Sequence, residues 1–367
     1  MTLRAPCAPF VKAGCIVSVN ATAIILAAGE GTRMKSSLPK VVHQILGVPV
    51  VQYVIDAARE AGLDRIVVIT GHGADRVEAV LAGQDVEFAR QNEQLGTGHA
   101  VMCALEVTGA LEGPVVVLSG DVPLVRAETI VQLVDKQQSC SAACAMLTAI
   151  FDDPTGYGRV IRSESGAVTA IIEQKDLPPD LGDVRECNAG VYCFDGAALS
   201  ANLPRLGTSN AQGEYYLTDL VGVFVEEGLG VEAVVASDTV ESNGINTRVQ
   251  LAEVTRVMQG RINERHMLAG VTMLAPDTAW VGPKVVIGRD VVVEPMTSLS
   301  GLTVIGPDAR IGPGARIIDS EIGPGAHVDC SIVVGATVGE GASVGPGAYL
   351  RPGTVVDSGE AVDASAE

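Results

Sequence analysis

The chain has 367 residues, 44 acidic against 25 basic side chains, and a formal net charge of -19. That length predicts two domains, each able to bury its own core. That charge excludes a phosphate-backbone partner such as nucleic acid, which such a surface repels. No apolar run approaches the roughly 18 residues of a membrane helix, and aromatics are only 3%, which favours stacked sheet and coil over an aromatic-rich core.

Residues 1–20 lack a sustained apolar stretch and read as a loose extension, or as residues ahead of a misplaced start, rather than as a signal peptide. The eight cysteines show no CxxC or zinc-finger spacing. Cys140 and Cys144, the closest pair, are expected to be buried free thiols, and a reducing, cytoplasmic compartment is expected with them.

The first strong signal is Ile24-Ile25-Leu26-Ala27-Ala28-Gly29-Glu30-Gly31-Thr32-Arg33-Met34, closed by Leu38-Pro39-Lys40. An apolar strand runs into a glycine-containing cationic loop whose backbone N–H groups can approach a phosphate. Arg33 and Lys40 supply charge for a phosphoryl group gaining negative character. The loop is neither a Walker A sequence nor a dinucleotide fingerprint, and a structural glycine turn is the alternative.

Residues 50–61 carry Val51, Val54, Ile55 and Ala58 on one helical face, ended by Gly62. Ile66-Val67-Val68-Ile69 is a second strand, residues 74–81 a second helix, and Phe88 ends a short third strand. This alternation predicts βαβ crossovers and a mostly parallel sheet, with ligands at the carboxyl ends of the strands. Gln91-Asn92-Glu93-Gln94-Leu95-Gly96-Thr97-Gly98-His99 follows the third strand. There a side-chain amide can pair with a nucleobase edge while Gly96 and Thr97 admit its approach; a capped helix start is the alternative, and His99 is read as packing or capping. Val115-Val116-Val117-Leu118 ends in Ser119-Gly120-Asp121, which places Asp121 either as a Mg²⁺ ligand or as a turn residue.

Past residue 145 the pattern turns antiparallel. Gly156-Tyr157-Gly158-Arg159 and Ala170-Ile171-Ile172-Glu173 flank a Ser165-Gly166 turn, and Glu173 is a possible acceptor for sugar hydroxyls. Asn188 precedes an apolar run, and Thr218-Asp219 leads into a helix. Asn246 opens the last long helix, to about Arg265, as its N-cap or as a metal and phosphate ligand.

These motifs, with Glu-Gln-Lys-Asp, Asn-Ala-Gln-Gly-Glu-Tyr-Tyr-Leu-Thr-Asp and Gly-x-Asn-x-Arg-x-Gln-Leu, make residues 21–265 resemble one family in particular. It is the family of bifunctional N-acetylglucosamine-1-phosphate uridylyltransferases / glucosamine-1-phosphate acetyltransferases, of which they match the uridylyltransferase domain. The first motif is common to many sugar nucleotidyltransferases; the later ones, in this order, are specific. The resemblance implies uridine held by Ala28, Gly29, Gln91, Gly96 and Thr97, and triphosphate stabilised by Arg33 and Lys40. It implies catalytic Mg²⁺ on Asp121 and Asn246, with the amino sugar on Gly158, Glu173, Asn188 and Thr218. The implied reaction joins UTP and N-acetylglucosamine 1-phosphate, in line, to give UDP-N-acetylglucosamine and pyrophosphate. Ser119, where the family has an aromatic residue, and Ala189, commonly Thr, are departures. Transfer to another hexose 1-phosphate, or a non-catalytic nucleotide-sugar-binding assembly protein, are the competing readings.

From residue 271 an aliphatic recurs every sixth position: Val281, Ile287, Val293, Leu299, Ile305, Ile311 and Ile317. The frame slips to Ile322 and Val328, then to Ile332, Val338, Val344, Leu350 and Val356. Such hexads predict a parallel β-helix of about five three-hexad coils. They resemble the left-handed helices of trimeric acyltransferases, so a homotrimer is implied. The expected fold is thus an α/β Rossmann-like nucleotidyltransferase domain at 21–265 and a short left-handed β-helix at 266–356, with an acidic tail at 357–367. The family's acetyltransferase half continues past Leu350-Arg351-Pro352-Gly353, and no histidine follows His327. The expectation is a truncated, structural prism without acetyl transfer.

Overall fold

The computed structural model describes residues 21–364. The extension 1–20, with Cys7 and Cys15, and residues 365–367 of the acidic tail lie outside the described residues. The chain forms two compact units, one of residues 21–32, 36–41 and 51–244, the other of residues 33–35, 42–50 and 245 onward.

The first unit is built on β1 (Thr22–Ala27), α1 (Val50–Glu60), β2 (Arg65–Thr70), α2 (Ala74–Val80) and β3 (Glu87–Arg90). It continues through α3 (Thr97–Thr108), β4 (Pro114–Ser119), α4 (Ala127–Cys140), β5 (Cys144–Ile150), β6 (Arg159–Arg162) and β7 (Val168–Ile172). β8 (Glu186–Asp195), α5 (Gly196–Asn202), α6 (Asp219–Glu226) and β9 (Val231–Val235) complete it. Its main sheet has the order β9-β5-β8-β4-β1-β2-β3. β1 runs parallel to β2 and β4, β3 to β2 and β9 to β5, as crossover helices require, while β8 is antiparallel to both neighbours. The third strand reaches Arg90, past the expected end at Phe88, because its pairing with β2 runs to Thr70↔Arg90.

Strands covered on both faces read as unbroken apolar runs; Ile24, Ile25, Val67, Ile69, Val115 and Val117 are fully buried. Each such side chain contributes roughly 1.5–3 kcal/mol by leaving water. Phe194 of β8 packs on Tyr192 and on Phe224 of α6, with ring centroids 5.5 and 6.2 Å away. β6 and β7 form the expected hairpin. Cys144 is buried as expected, but Cys140, on the last turn of α4, is exposed.

In the second unit, α7 (Arg248–Leu268) starts at Thr247, not Asn246. Thr247 Oγ1 accepts from the N–H of Gln250, and Gln250 Oε1 accepts from the N–H groups of Thr247 and Asn246. That reciprocal capping box is why Thr247 takes the cap and Asn246 lies outside it. The Gln259 and Asn263 amides of α7 donate to the carbonyls of Ala279 and Pro276. These bonds tie the helix to the start of the repeat, and so α7 groups with the repeat unit rather than with residues 21–244.

The repeat is a left-handed parallel β-helix with three stacked faces of six, five and five short strands. One face runs Thr272–Met273, Val292–Val293, Arg310–Ile311, His327–Val328, Ser343–Val344 and Ala361–Val362. The last strand carries the stack past Val356. The expected aliphatics point inward with one exception. Ile332 is 42% exposed and Val333 0%, so the second slip lands one residue later than the hexad count placed it. No helix among the described residues is long and apolar enough to cross a membrane.

Candidate active site

A cavity of about 540 Å³ opens at the carboxyl ends of β1, β3 and β4, lined among others by Ala28, Gly29, Lys40, Gln91, Gly96, Thr97 and Asp121. Gly31, at φ +63°, turns the loop after β1; a Cβ there would meet Lys40 Cβ at 2.7 Å, so only glycine lets Lys40 lie over the loop. Lys40 Nζ donates to Asp121 Oδ2 in a half-buried ion pair. This brings the cation from the first loop onto the carboxylate after β4.

Just past β3, Gln91 is buried and its Nε2 lies 2.9 Å from Gly96 O and 3.0 Å from His99 Nδ1. His99 is therefore a hydrogen-bond partner of Gln91, not a cap. The N-cap of α3 is Gly96, so no side chain caps this helix. Thr97 uses its hydroxyl to accept from the Leu217 N–H.

A second cluster in the same unit brings together Gly158, Glu173, Asn188 and Thr218. Thr218 Oγ1 donates to Glu173 Oε1 at 3.1 Å, and the Asn188 N–H donates to Gly158 O at 2.9 Å. A Cβ on Gly158 would stand 3.4 Å from the Glu173 carboxylate, so the backbone approaches it closely. A register shift in β8 between Asn188 and Tyr192 turns the Asn188 side chain back on its own strand. Its Nδ2 donates to the Tyr192 hydroxyl at 2.5 Å and its Oδ1 accepts from the Gly190 N–H. Burial pushes the Glu173 carboxyl above its ordinary range; the Thr218 hydrogen bond acts against this, while Asp219 and Asp176 add to it. Tyr157, before Gly158, has its phenol raised by burial and, less, by Cys187 and Asp121.

Arg33 is exposed and Asn246 half-buried; both group with the second unit, and neither lines the cavity. Asp121 offers a carboxylate, a hard donor of the kind magnesium takes in small number beside phosphate and water; its ion pair uses Oδ2, so its chemistry fits one ligand of that metal. The sequence reading missed Glu214, Gln94 and Glu30 as cavity residues and Tyr192 as the partner of Asn188. The Gly213-Glu214-Tyr215 segment was the available signal for Glu214.

A family model for the MobA-like NTP transferase domain matches residues 23–176. The bifunctional protein GlmU of Caldanaerobacter subterraneus subsp. tengcongensis is 49% identical over 316 residues, 86% of this chain and 68% of that protein. GlmU of Lactobacillus delbrueckii subsp. bulgaricus is 49% identical over 310 residues, covering 84% and 67% of the two chains. GlmU of Streptomyces avermitilis is 48% identical over 323 residues, covering 87% and 67%. A glycine loop at the end of β1, a Lys–Asp pair beside it and this degree of identity lead to one conclusion: the chain belongs to the GlmU family, with a nucleotidyltransferase domain in its N-terminal part.

Proposed function

We propose that this protein transfers uridylyl from UTP to N-acetylglucosamine 1-phosphate, giving UDP-N-acetylglucosamine and pyrophosphate. The observation that carries the reading is the order of groups in one unit. The Gln91 amide and glycine backbone line the cavity with the Lys40–Asp121 pair, and the Glu173, Thr218 and Asn188 cluster is suited to a hydroxyl- and amide-bearing sugar. A phosphate oxygen of the sugar phosphate attacks the α-phosphorus. The new P–O bond forms as the bond to the β-phosphate bridging oxygen breaks, and pyrophosphate leaves with that electron pair. The nucleophile is already ionised at neutral pH, so no general base is needed.

The protein's work is alignment of two anions and relief of their repulsion. Lys40 and Arg33 are assigned to the triphosphate. Asp121 and Asn246 would hold Mg²⁺, which when bound supplies charge neutralisation between the phosphates. Assembly as a homotrimer through the β-helix is part of the proposal; exposed Trp280 and Tyr349 on one face support self-association. Asp121→Ala is expected to lose at least about 100-fold in turnover while still binding UDP-N-acetylglucosamine by calorimetry. Equal turnover in that variant would remove Asp121 from the assigned role.

A further inference from the structure

We propose that His99 is a positioning residue that, together with the Gly96 carbonyl, holds the edge of Gln91 that meets the base, and thereby strengthens the choice of uracil over cytosine. The proposal rests on the uridylyl reading above. The Gln91 amide has two N–H protons and one carbonyl oxygen. Gly96 O can only accept, so Nε2 must face it, at 2.9 Å; the second proton faces His99 Nδ1 at 3.0 Å. Both donors are thus committed, and Oε1 is the group left for a ligand in the cavity that Gln91 lines.

For Nδ1 to accept, the imidazole proton must sit on Nε2. Nε2 faces Cys103 Sγ, one helical turn on, at 3.8 Å. Tyr215 flanks the ring with centroids 6.4 Å apart, so the imidazole is held on both sides. Without His99 the amide keeps one anchor, Gly96 O, and its orientation is less firmly set. An acceptor offered by Gln91 suits uracil, whose N3 carries a proton. It opposes cytosine, whose N3 is a bare lone pair, and an unmatched polar pair in a half-closed site is discriminated by about 10- to 100-fold.

The test uses the full chain and pyrophosphate release with UTP or CTP, N-acetylglucosamine 1-phosphate being the acceptor. The native protein is compared with His99→Leu, which removes the acceptor, and His99→Asn, whose amide oxygen can stand where Nδ1 stood. His99→Leu is expected to lose about 10- to 100-fold of the UTP-over-CTP preference, through KM for UTP rather than kcat and with KM for the sugar phosphate unchanged. His99→Asn is expected to restore most of it. An unchanged preference in His99→Leu, or an equal loss with both nucleotides in both variants, overturns the proposal in favour of a structural role. NMR of the native protein labelled with ¹⁵N-histidine is independent of how the variants fold: an Nε2-protonated His99 is expected, and an Nδ1-protonated one overturns the assignment. If the native protein itself shows no UTP preference, the uridylyl reading fails first, which is a separate result.

Discussion

A methyl group added at position 96 would reach the carbonyl oxygen of Tyr215 at 2.5 Å, and the backbone there has φ +109°. Gly96→Ala is therefore expected to lose about 1–3 kcal/mol of stability and to weaken UTP binding, read by urea unfolding and by KM. An unchanged unfolding midpoint would contradict the close approach. At this scale the candidate side chains were legible in the sequence, because Asp121 directly follows an apolar strand and Gly120, while Lys40 and Gln91 stand in the polar stretches after β1 and β3. What was not legible were bonds between side chains. The Gln91–His99 and Asn188–Tyr192 contacts depend on how a short segment folds back, which residue type alone does not specify. Asn246 and Thr247 are both good caps, and Gln250 decided between them.

Helix α7 shows two effects in opposition. His266 lies in its last turn, where the helix dipole favours a cation. Yet the side chain is buried, Nε2 has no partner, and burial with the nearby Arg265 lowers its pKa to about 4. Burial wins. The folded protein keeps His266 neutral while the unfolded chain takes up a proton below about 6.5. This stability is therefore fully present above that pH and is lost as pH falls towards 4. Glu173 works the other way, since its raised carboxyl holds a proton more tightly in the folded state and costs stability as pH rises through its range. The comparison must therefore be between native protein and His266→Leu. The native melting temperature is expected to fall more steeply than the variant's between pH 6.5 and 4, and parallel curves would contradict the assignment. The existence of this helix was clear from the sequence; its end at Leu268 rather than about Arg265 was not, because no glycine or proline marks the stop before Gly270.

Across the whole molecule, both architectures were legible for the same reason: strand–helix alternation and a six-residue aliphatic period each admit few folds. The slips were harder. Ile332-Val333-Val334 offers three successive β-branched residues, and the choice between them is fixed by neighbouring coils, through pairing of Ile317 with Val333 and of Val333 with Leu350. Val333→Ala is expected to cost about 2 kcal/mol and Ile332→Ala under about 0.5 kcal/mol, both read by thermal melting. The reverse order would restore the simple hexad register.

The central claim concerns chemistry, and pyrophosphate release from UTP and Mg²⁺ tests it most directly, with N-acetylglucosamine 1-phosphate, glucosamine 1-phosphate and glucose 1-phosphate compared at equal concentration. The account predicts kcat/KM at least about tenfold higher for the N-acetyl sugar than for either alternative. No release with any of the three, or equal release with all, would contradict it.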